Sequence, residues 1–166
     1  MKHDLISSFK EINLFLFDLE GVLINEFTKD NLNLVVNELQ EFTKSVGSYG
    51  TKVGIVTASD ENDYIKVLSK IEGLNILTRS INKVESVDEF IKDSEIKYDS
   101  IFYIGDDVLD IPLLQKVKFK AAPVSAKRNV KRVVELTFDV FDISKLFEEL
   151  RSYFINSYNN FNLQKN

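Results

Sequence analysis

Residues 15–23 read Phe15-Leu-Phe-Asp-Leu-Glu-Gly-Val-Leu23, an apolar run broken by two carboxylates and a glycine. Leu14 to Phe17 has the pattern of a strand that is apolar on both faces, as in a parallel sheet covered by helices. The run stops at Asp18, and Gly21 supplies the turn out of the sheet. Open α/β sheets bind ligands beyond the carboxyl ends of their strands, so Asp18 and Glu20 stand where chemistry is expected. Taken alone, the stretch is better read as a strand-end aspartate bonded to loop amides beside a solvated glutamate. The rest of the chain decides between the two.

Downstream, strand and helix patterns alternate. Leu32, Val35, Val36, Leu39, Phe42 and Val46 recur at helical spacing, with Asp30 or Thr28 as the expected cap. Lys52 to Thr57 reads as a second buried strand. A helix is expected to open at Ser59, with Asp60 and Glu61 at the positive end of its dipole. Leu74 to Leu77 is a weaker strand leading through Ile81 to Lys83, and Val84 to Ile91 a short helix. Ile101-Phe-Tyr-Ile104 is a third strong strand running into Gly105-Asp-Asp-Val-Leu-Asp110. Pro112 suits the first turn of the next helix. Phe119 to Val124 follows as a strand, Val130 to Leu136 as a helix and Thr137 to Val140 as an extended piece. Ile143, Leu146, Phe147, Leu150 and Phe154 mark a final amphipathic helix. The alternation predicts an α/β fold: one three-layer Rossmann-like domain over residues 1–156, its parallel sheet flanked by helices. Residues 157–166 are expected to be a disordered tail, and the polar residues around His3 a loose start.

Bulk properties narrow the function. The chain has 166 residues, 44% of them hydrophobic and 28% charged, as in an ordinary globular protein. A net charge of −5 argues against nucleic acid or an anionic membrane as the main partner. With no cysteine, disulfides, thiolate metal sites and cysteine nucleophiles are excluded together. The single histidine, His3, lies outside the patterned region, which argues against a serine-hydrolase triad. No apolar run approaches a membrane span, and cytoplasmic residence is the expectation. An oligomer is compatible with the sequence but has no support in it.

Four features fall at or just after strand ends: Asp18 with Glu20, then Thr57, then Lys83, then Asp106, Asp107 and Asp110. Carboxylates from separate strands repel unless a cation sits between them. An all-oxygen site with few protein ligands suits Mg²⁺, which keeps several waters and pairs readily with a phosphate. A lysine and a threonine on the same face can bind the remaining phosphate oxygens. With charge neutralised, an aspartate can attack phosphorus, and a second carboxyl can protonate the leaving oxygen and later activate water.

This ordered set resembles the haloacid dehalogenase-like superfamily, whose phosphatases carry Asp-x-Asp, then Thr or Ser, then Lys, then a Gly-Asp-Asp-x-x-Asp type cluster. More narrowly, it is similar to the small capless branch typified by 3-deoxy-octulosonate 8-phosphate phosphatase. Tyr103-Ile-Gly-Asp-Asp-Val-Leu-Asp110 matches in pattern, as does Ala121-Ala-Pro-Val-Ser-Ala126. The resemblance covers roughly residues 12 to 150. It implies a Mg²⁺-dependent phosphomonoesterase of a small phosphorylated metabolite, a sugar phosphate among the candidates. Asp18 would be nucleophile and metal ligand. Glu20 would be the acid/base, with its backbone carbonyl on the metal. Thr57 would bind the phosphoryl group and Lys83 neutralise it. Asp106 would ligate the metal, with Asp107 or Asp110 supporting the metal or orienting Lys83.

Three departures bear on this reading. Glu20 stands where the branch has a second aspartate, displacing the carboxyl by about 1 Å, and a misplacement of that size can cost about a hundredfold in rate. Ile24 to Asp30 is too short for the branch's β-hairpin flap. The glycine-rich turn and arginine near the C-terminus are replaced by Thr137-Phe-Asp-Val-Phe-Asp142. The latter two discount the sugar-acid substrate and the branch's tetramer. Together with Glu20, they also motivate a second reading, a catalytically silent domain used for binding or regulation. A phosphoacceptor receiver domain fits poorly, because its acidic pair should follow the first strand.

Overall fold

Along the first strand, Phe15 and Phe17 enter one apolar cluster while Leu14 and Leu16 enter another, and all four are fully buried. A strand with both faces covered requires helices on either side, and the computed structural model, which describes residues 2–163, has that layering. Six parallel strands form the sheet: β1 (Leu14–Phe17), β2 (Lys52–Val56), β3 (Leu74–Leu77), β4 (Ile101–Ile104), β5 (Phe119–Pro123) and β6 (Leu136–Phe138). Their order is β3-β2-β1-β4-β5-β6. The fold is therefore a three-layer, Rossmann-like α/β fold.

The helices are α1 (Lys2–Ser7), α2 (Leu32–Gly47), α3 (Asp63–Leu68), α4 (Lys83–Ile91), α5 (Ile111–Lys116), α6 (Arg128–Lys131) and α7 (Ile143–Leu163). Val35, Leu39 and Phe42 of α2 share the larger cluster with Leu146, Phe147, Leu150 and Phe154 of α7. Val87 of α4, Leu113 and Leu114 of α5, and Val130 of α6 share the cluster on the other face. None of the described helices is long and apolar enough to cross a membrane.

Chain order and sheet order together place the site. From β1 the chain steps outward to β2 and β3, then returns to the other side of β1 for β4. The gap between β1 and β4 is thus the topological switch point, where an open α/β sheet binds ligands. Phe17 pairs with Ile104 across that gap, and the Asp18 amide donates to the Ile104 carbonyl at 3.0 Å. Asp18 and Gly105-Asp106 leave the sheet side by side.

Several local expectations are corrected. The N-terminal residues form α1 and a 3-10 turn, Phe9–Glu11, because Phe9 is a buried anchor packed edge-on against Phe15, Phe102, Phe119 and Tyr153. Asn31, not Asp30 or Thr28, occupies the N-cap of α2; the Thr28 hydroxyl donates to the Leu23 carbonyl instead. The third helix starts at Asp63, where Asn62 caps it by accepting from the Ile65 amide. Ser59, Asp60 and Glu61 are therefore loop, and Asp60 pairs with Arg79 at 2.8 Å. The helix expected over Val130 to Leu136 shrinks to α6, because Leu136 and Phe138 turn inward as an edge strand beside β5. The tail expected to be disordered from Ser157 is helical to Leu163. Ser157 is buried, and Tyr158 packs on Tyr49 and Phe154. Residues 164–166 lie outside the described residues.

Candidate active site

Asp18 is buried, and its Oδ1 accepts from the Leu19 amide at 2.8 Å and from Lys83 Nζ at 2.9 Å. Lys83 opens α4, directly after the Asn82 cap, and its side chain is 5% exposed. Such a lysine is stable inside the protein only with opposite charge beside it. Its second partner is Asp110 Oδ1 at 2.5 Å, and it also donates to the Tyr103 hydroxyl at 3.2 Å.

Asp110 is saturated. Oδ1 accepts from Lys83 and, at 2.6 Å, from the Tyr103 hydroxyl. Oδ2 accepts from the backbone amides of Asp106 and Asp107 at 2.9 and 3.0 Å. One carboxylate thereby orients the lysine and folds the Gly105–Asp110 turn. Gly105 is required here, since a Cβ at that position would lie 2.6 Å from Asp110 Cβ.

Asp106 is seated against Gly21. That glycine has φ +83°, and a Cβ there would stand 2.0 Å from an Asp106 carboxylate oxygen. The turn after β1 and the turn after β4 can close on each other only with glycine at this point. Oxygens of Asp18, Asp106 and Asp110 come within 4.8 Å of one another. Because Asp110 already accepts four hydrogen bonds, Asp18 and Asp106 are the pair able to hold a cation. Two carboxylates meeting in a cradle lined by Gly21 fit a hard, oxygen-seeking ion such as Mg²⁺.

The electrostatics agree with a deficit of positive charge. Burial pushes the Asp18 carboxyl up to about 8; Lys83 opposes this, while Asp110 and Asp106 reinforce it. Burial, then Asp110 and Asp107, raise Asp106 to about 6. Burial also acts against ionisation of Asp110, but the charge of Lys83 and the bonds it accepts outweigh that and hold its carboxyl low. Burial disfavours the Lys83 ammonium, yet Asp18 and Asp110 together raise it above its usual value.

Thr57, fully buried, follows β2 one strand over. It accepts from the Ser59 amide at 3.1 Å and donates to Glu20 Oε2 at 2.8 Å, and Glu20 Oε1 accepts from the Ser59 hydroxyl at 2.5 Å. The structure thus brings together Asp18, Glu20, Thr57, Lys83, Asp106 and Asp110. Asp107 borders the same cavity but is turned to a different partner. Expected as a metal ligand, Asp107 instead binds Lys127 Nζ at 2.7 Å and caps the 3-10 turn Val108–Asp110, with its side chain 43% exposed. The hydrogen bond from Lys127 accordingly holds its carboxyl low.

Two participants were not among the expected site residues. Tyr103 carried a signal: a phenol on the core face of an Ile/Phe strand must find a partner for its hydroxyl. Ser59 carried none, because its role depends on where Glu20 points. A cavity of about 260 Å³ opens over Asp18, bordered by Glu20, Ala58, Ile81, Lys83, Asp106 and Leu109.

A phosphoglycolate phosphatase of Thermoplasma acidophilum is 25% identical over 146 residues; the alignment takes in 79% of this chain but only 65% of that enzyme's length. The 3-deoxy-D-manno-octulosonate 8-phosphate phosphatase of Yersinia pestis superposes with TM-score 0.76 at 14% identity, over 94% of this chain and 87% of the other. The corresponding protein of Moraxella catarrhalis, solved with magnesium, phosphate and KDO, superposes with TM-score 0.67 at 18% identity, over 96% and 98%. At these identities the structural likeness is one of fold. The model of the haloacid dehalogenase-like hydrolase family matches residues 58–142, a span that includes Lys83, Asp106 and Asp110, and this chain belongs to that family.

Proposed function

We propose that this protein is a Mg²⁺-dependent phosphomonoesterase of the cytoplasm, acting on a small phosphorylated metabolite through an aspartyl phosphate at Asp18. The observation that carries the reading is the buried arrangement of Asp18 on Lys83, with Asp106 seated against Gly21 at the switch point of the sheet. Three carboxylates around one ammonium leave negative charge that a divalent cation would balance. The relatives named above, called phosphatases of glycolate and octulosonate phosphates, support the same reaction class.

Asp18 and Asp106 would hold Mg²⁺, with the Glu20 backbone carbonyl as a further ligand; bound there, the ion would offset the charge of the phosphoryl group. Asp18 Oδ1 accepts from the Leu19 amide and Lys83, and Oδ2, which accepts from neither, is the oxygen that would attack phosphorus. As the Asp18–phosphorus bond forms, the ester P–O bond breaks, and the leaving oxygen takes a proton from the Glu20 carboxylic acid. Water then attacks the aspartyl phosphate and gives its proton to Glu20. Inorganic phosphate leaves, Asp18 is restored as a carboxylate and Glu20 as an acid. Lys83 binds phosphoryl oxygens once it gives up its 3.2 Å bond to the Tyr103 hydroxyl, and Thr57 does so once it releases Glu20.

Hydrolysis of an aryl phosphate with and without Mg²⁺ tests this, beside Asp18→Asn. Metal-dependent turnover lost in Asp18→Asn is expected. No turnover over a broad panel, together with no phosphate-mimic adduct at Asp18, would refute it.

A silent domain is the second reading, favoured by one observation: the Thr57 hydroxyl is spent on Glu20. In that case Glu20→Asp should awaken turnover or change nothing.

A further inference from the structure

The cavity over Asp18 is poor in positive charge and apolar at its mouth. Among the described residues that line it, Lys83 is the one cation, and it is buried between Asp18 and Asp110. Cations on the bordering loops are engaged as well: Lys127 lies 2.7 Å from Asp107, and Arg79 lies 2.8 Å from Asp60. A second anionic group on the substrate would therefore meet Glu20, Asp106 and Asp107, with no lining cation other than the paired Lys83 among the described residues. The mouth is walled instead by Ile81, 76% exposed, and Leu109, 60% exposed. Ile81 sits on the loop after β3 and Leu109 on the turn after β4, so the two flank Asp18 from opposite sides of the sheet order. Apolar side chains held in water beside a polar pocket gain by covering an apolar surface.

We infer that the substrate is a phosphomonoester of an uncharged alcohol or phenol that presents an apolar face next to the phosphate, gripped between Ile81 and Leu109. Phosphates of carboxylic acids are selected against. The inference rests on the phosphomonoesterase reading and narrows it: a neutral sugar is admitted by charge, a sugar acid is not.

The test compares kcat/KM, in saturating Mg²⁺, for benzyl phosphate, 2-hydroxyethyl phosphate and phosphoglycolate. The last two differ by a neutral hydroxymethyl against a carboxylate. Benzyl phosphate should lead 2-hydroxyethyl phosphate by about tenfold from apolar burial. Phosphoglycolate should trail 2-hydroxyethyl phosphate by about tenfold from like-charge repulsion near the surface. Leu109→Lys, a change at an exposed turn position, should narrow the gap between benzyl phosphate and phosphoglycolate by about tenfold or more, by adding a cation and removing an apolar wall. Phosphoglycolate turned over as well as its neutral counterpart, or a ranking untouched by Leu109→Lys, would overturn this inference alone. Turnover of none of the three by the wild type would overturn the phosphatase reading and this inference with it.

Discussion

The hydroxyl of Thr57 donates to Oε2 of Glu20 at 2.8 Å, so the proposed acid/base rests on the group proposed to bind phosphate. Glu20 reaches across from the turn after β1 to the loop after β2, where the Ser59 hydroxyl holds its other oxygen. A bound phosphate must take Thr57 from Glu20, and Ser59 then remains as the anchor that keeps the carboxyl nearby.

Shortening that side chain should therefore hurt. Glu20→Asp withdraws the carboxyl from both hydroxyls and is expected to lower kcat by roughly ten- to a hundredfold, the scale of a 1 Å misplacement. Ser59→Ala should shift the pH profile of kcat and Ser59→Thr restore it. Steady-state kinetics across pH on the three variants checks this. An unchanged or faster Glu20→Asp enzyme would contradict it.

Asp107 and Asp110 are neighbours in sequence with opposite roles. Asp110→Asn leaves Lys83 with Asp18 as its remaining carboxylate and sets Tyr103 and two amides around a neutral group, which should cost about 3–5 kcal/mol, as breaking a buried pair does. Asp107→Asn loses an exposed partner of Lys127 and should cost no more than about 1 kcal/mol. Urea denaturation separates them. Mg²⁺ affinity by calorimetry should be close to wild type in Asp107→Asn and severely weakened in Asp106→Asn.

The metal-free protein should lose stability as pH rises. Asp18 is raised to about 8 and Asp106 to about 6 from ordinary aspartate values near 4, each with burial as the first cause. Between pH 4 and 8 the folded state therefore binds more protons than the unfolded one. The contribution of these two groups is fully present near pH 4, fades as pH passes 6, and is gone above 8. Mg²⁺ should reverse the trend, since its binding displaces those protons and stabilises the protein more at pH 8 than at pH 5. Denaturation at both pH values, with and without Mg²⁺ and beside Asp18→Asn, measures the difference. Equal slopes in wild type and Asp18→Asn would count against it.

Gly21 should tolerate no side chain. Gly21→Ala sets a Cβ 2.0 Å from an Asp106 oxygen in a left-handed backbone conformation. Loss of Mg²⁺-dependent activity is expected, with a stability loss of at least about 1 kcal/mol from backbone strain alone. Activity and thermal unfolding of the purified variant decide.

Much of this molecule was legible in the sequence. Runs apolar on both faces, such as Phe15-Leu-Phe17 and Ile101 to Ile104, can be satisfied only inside a helix-covered parallel sheet, because burial is read directly from residue type and period. The order Asp18, Thr57, Lys83, Asp106 followed from those strands, since each residue stands just after one of them or, for Lys83, at the start of the helix behind it. What side chains do once they leave the sheet was not legible. Asp107 looked as able as Asp110 to serve the metal, and only the closed turn shows four donors converging on one and Lys127 on the other. The cap of α3, the brevity of α6 and the length of α7 were likewise decided by partners distant in sequence: Glu20 holds Ser59 and leaves the cap to Asn62, the β5 edge lies beside Leu136, and Tyr49 packs under Tyr158. Periodicity reports which face a residue takes, a local property of the chain. Hydrogen-bond saturation, charge pairing and the apolar walls around Asp18 are long-range, and they arise only when the turns after β1, β2 and β4 meet at the switch point of the sheet.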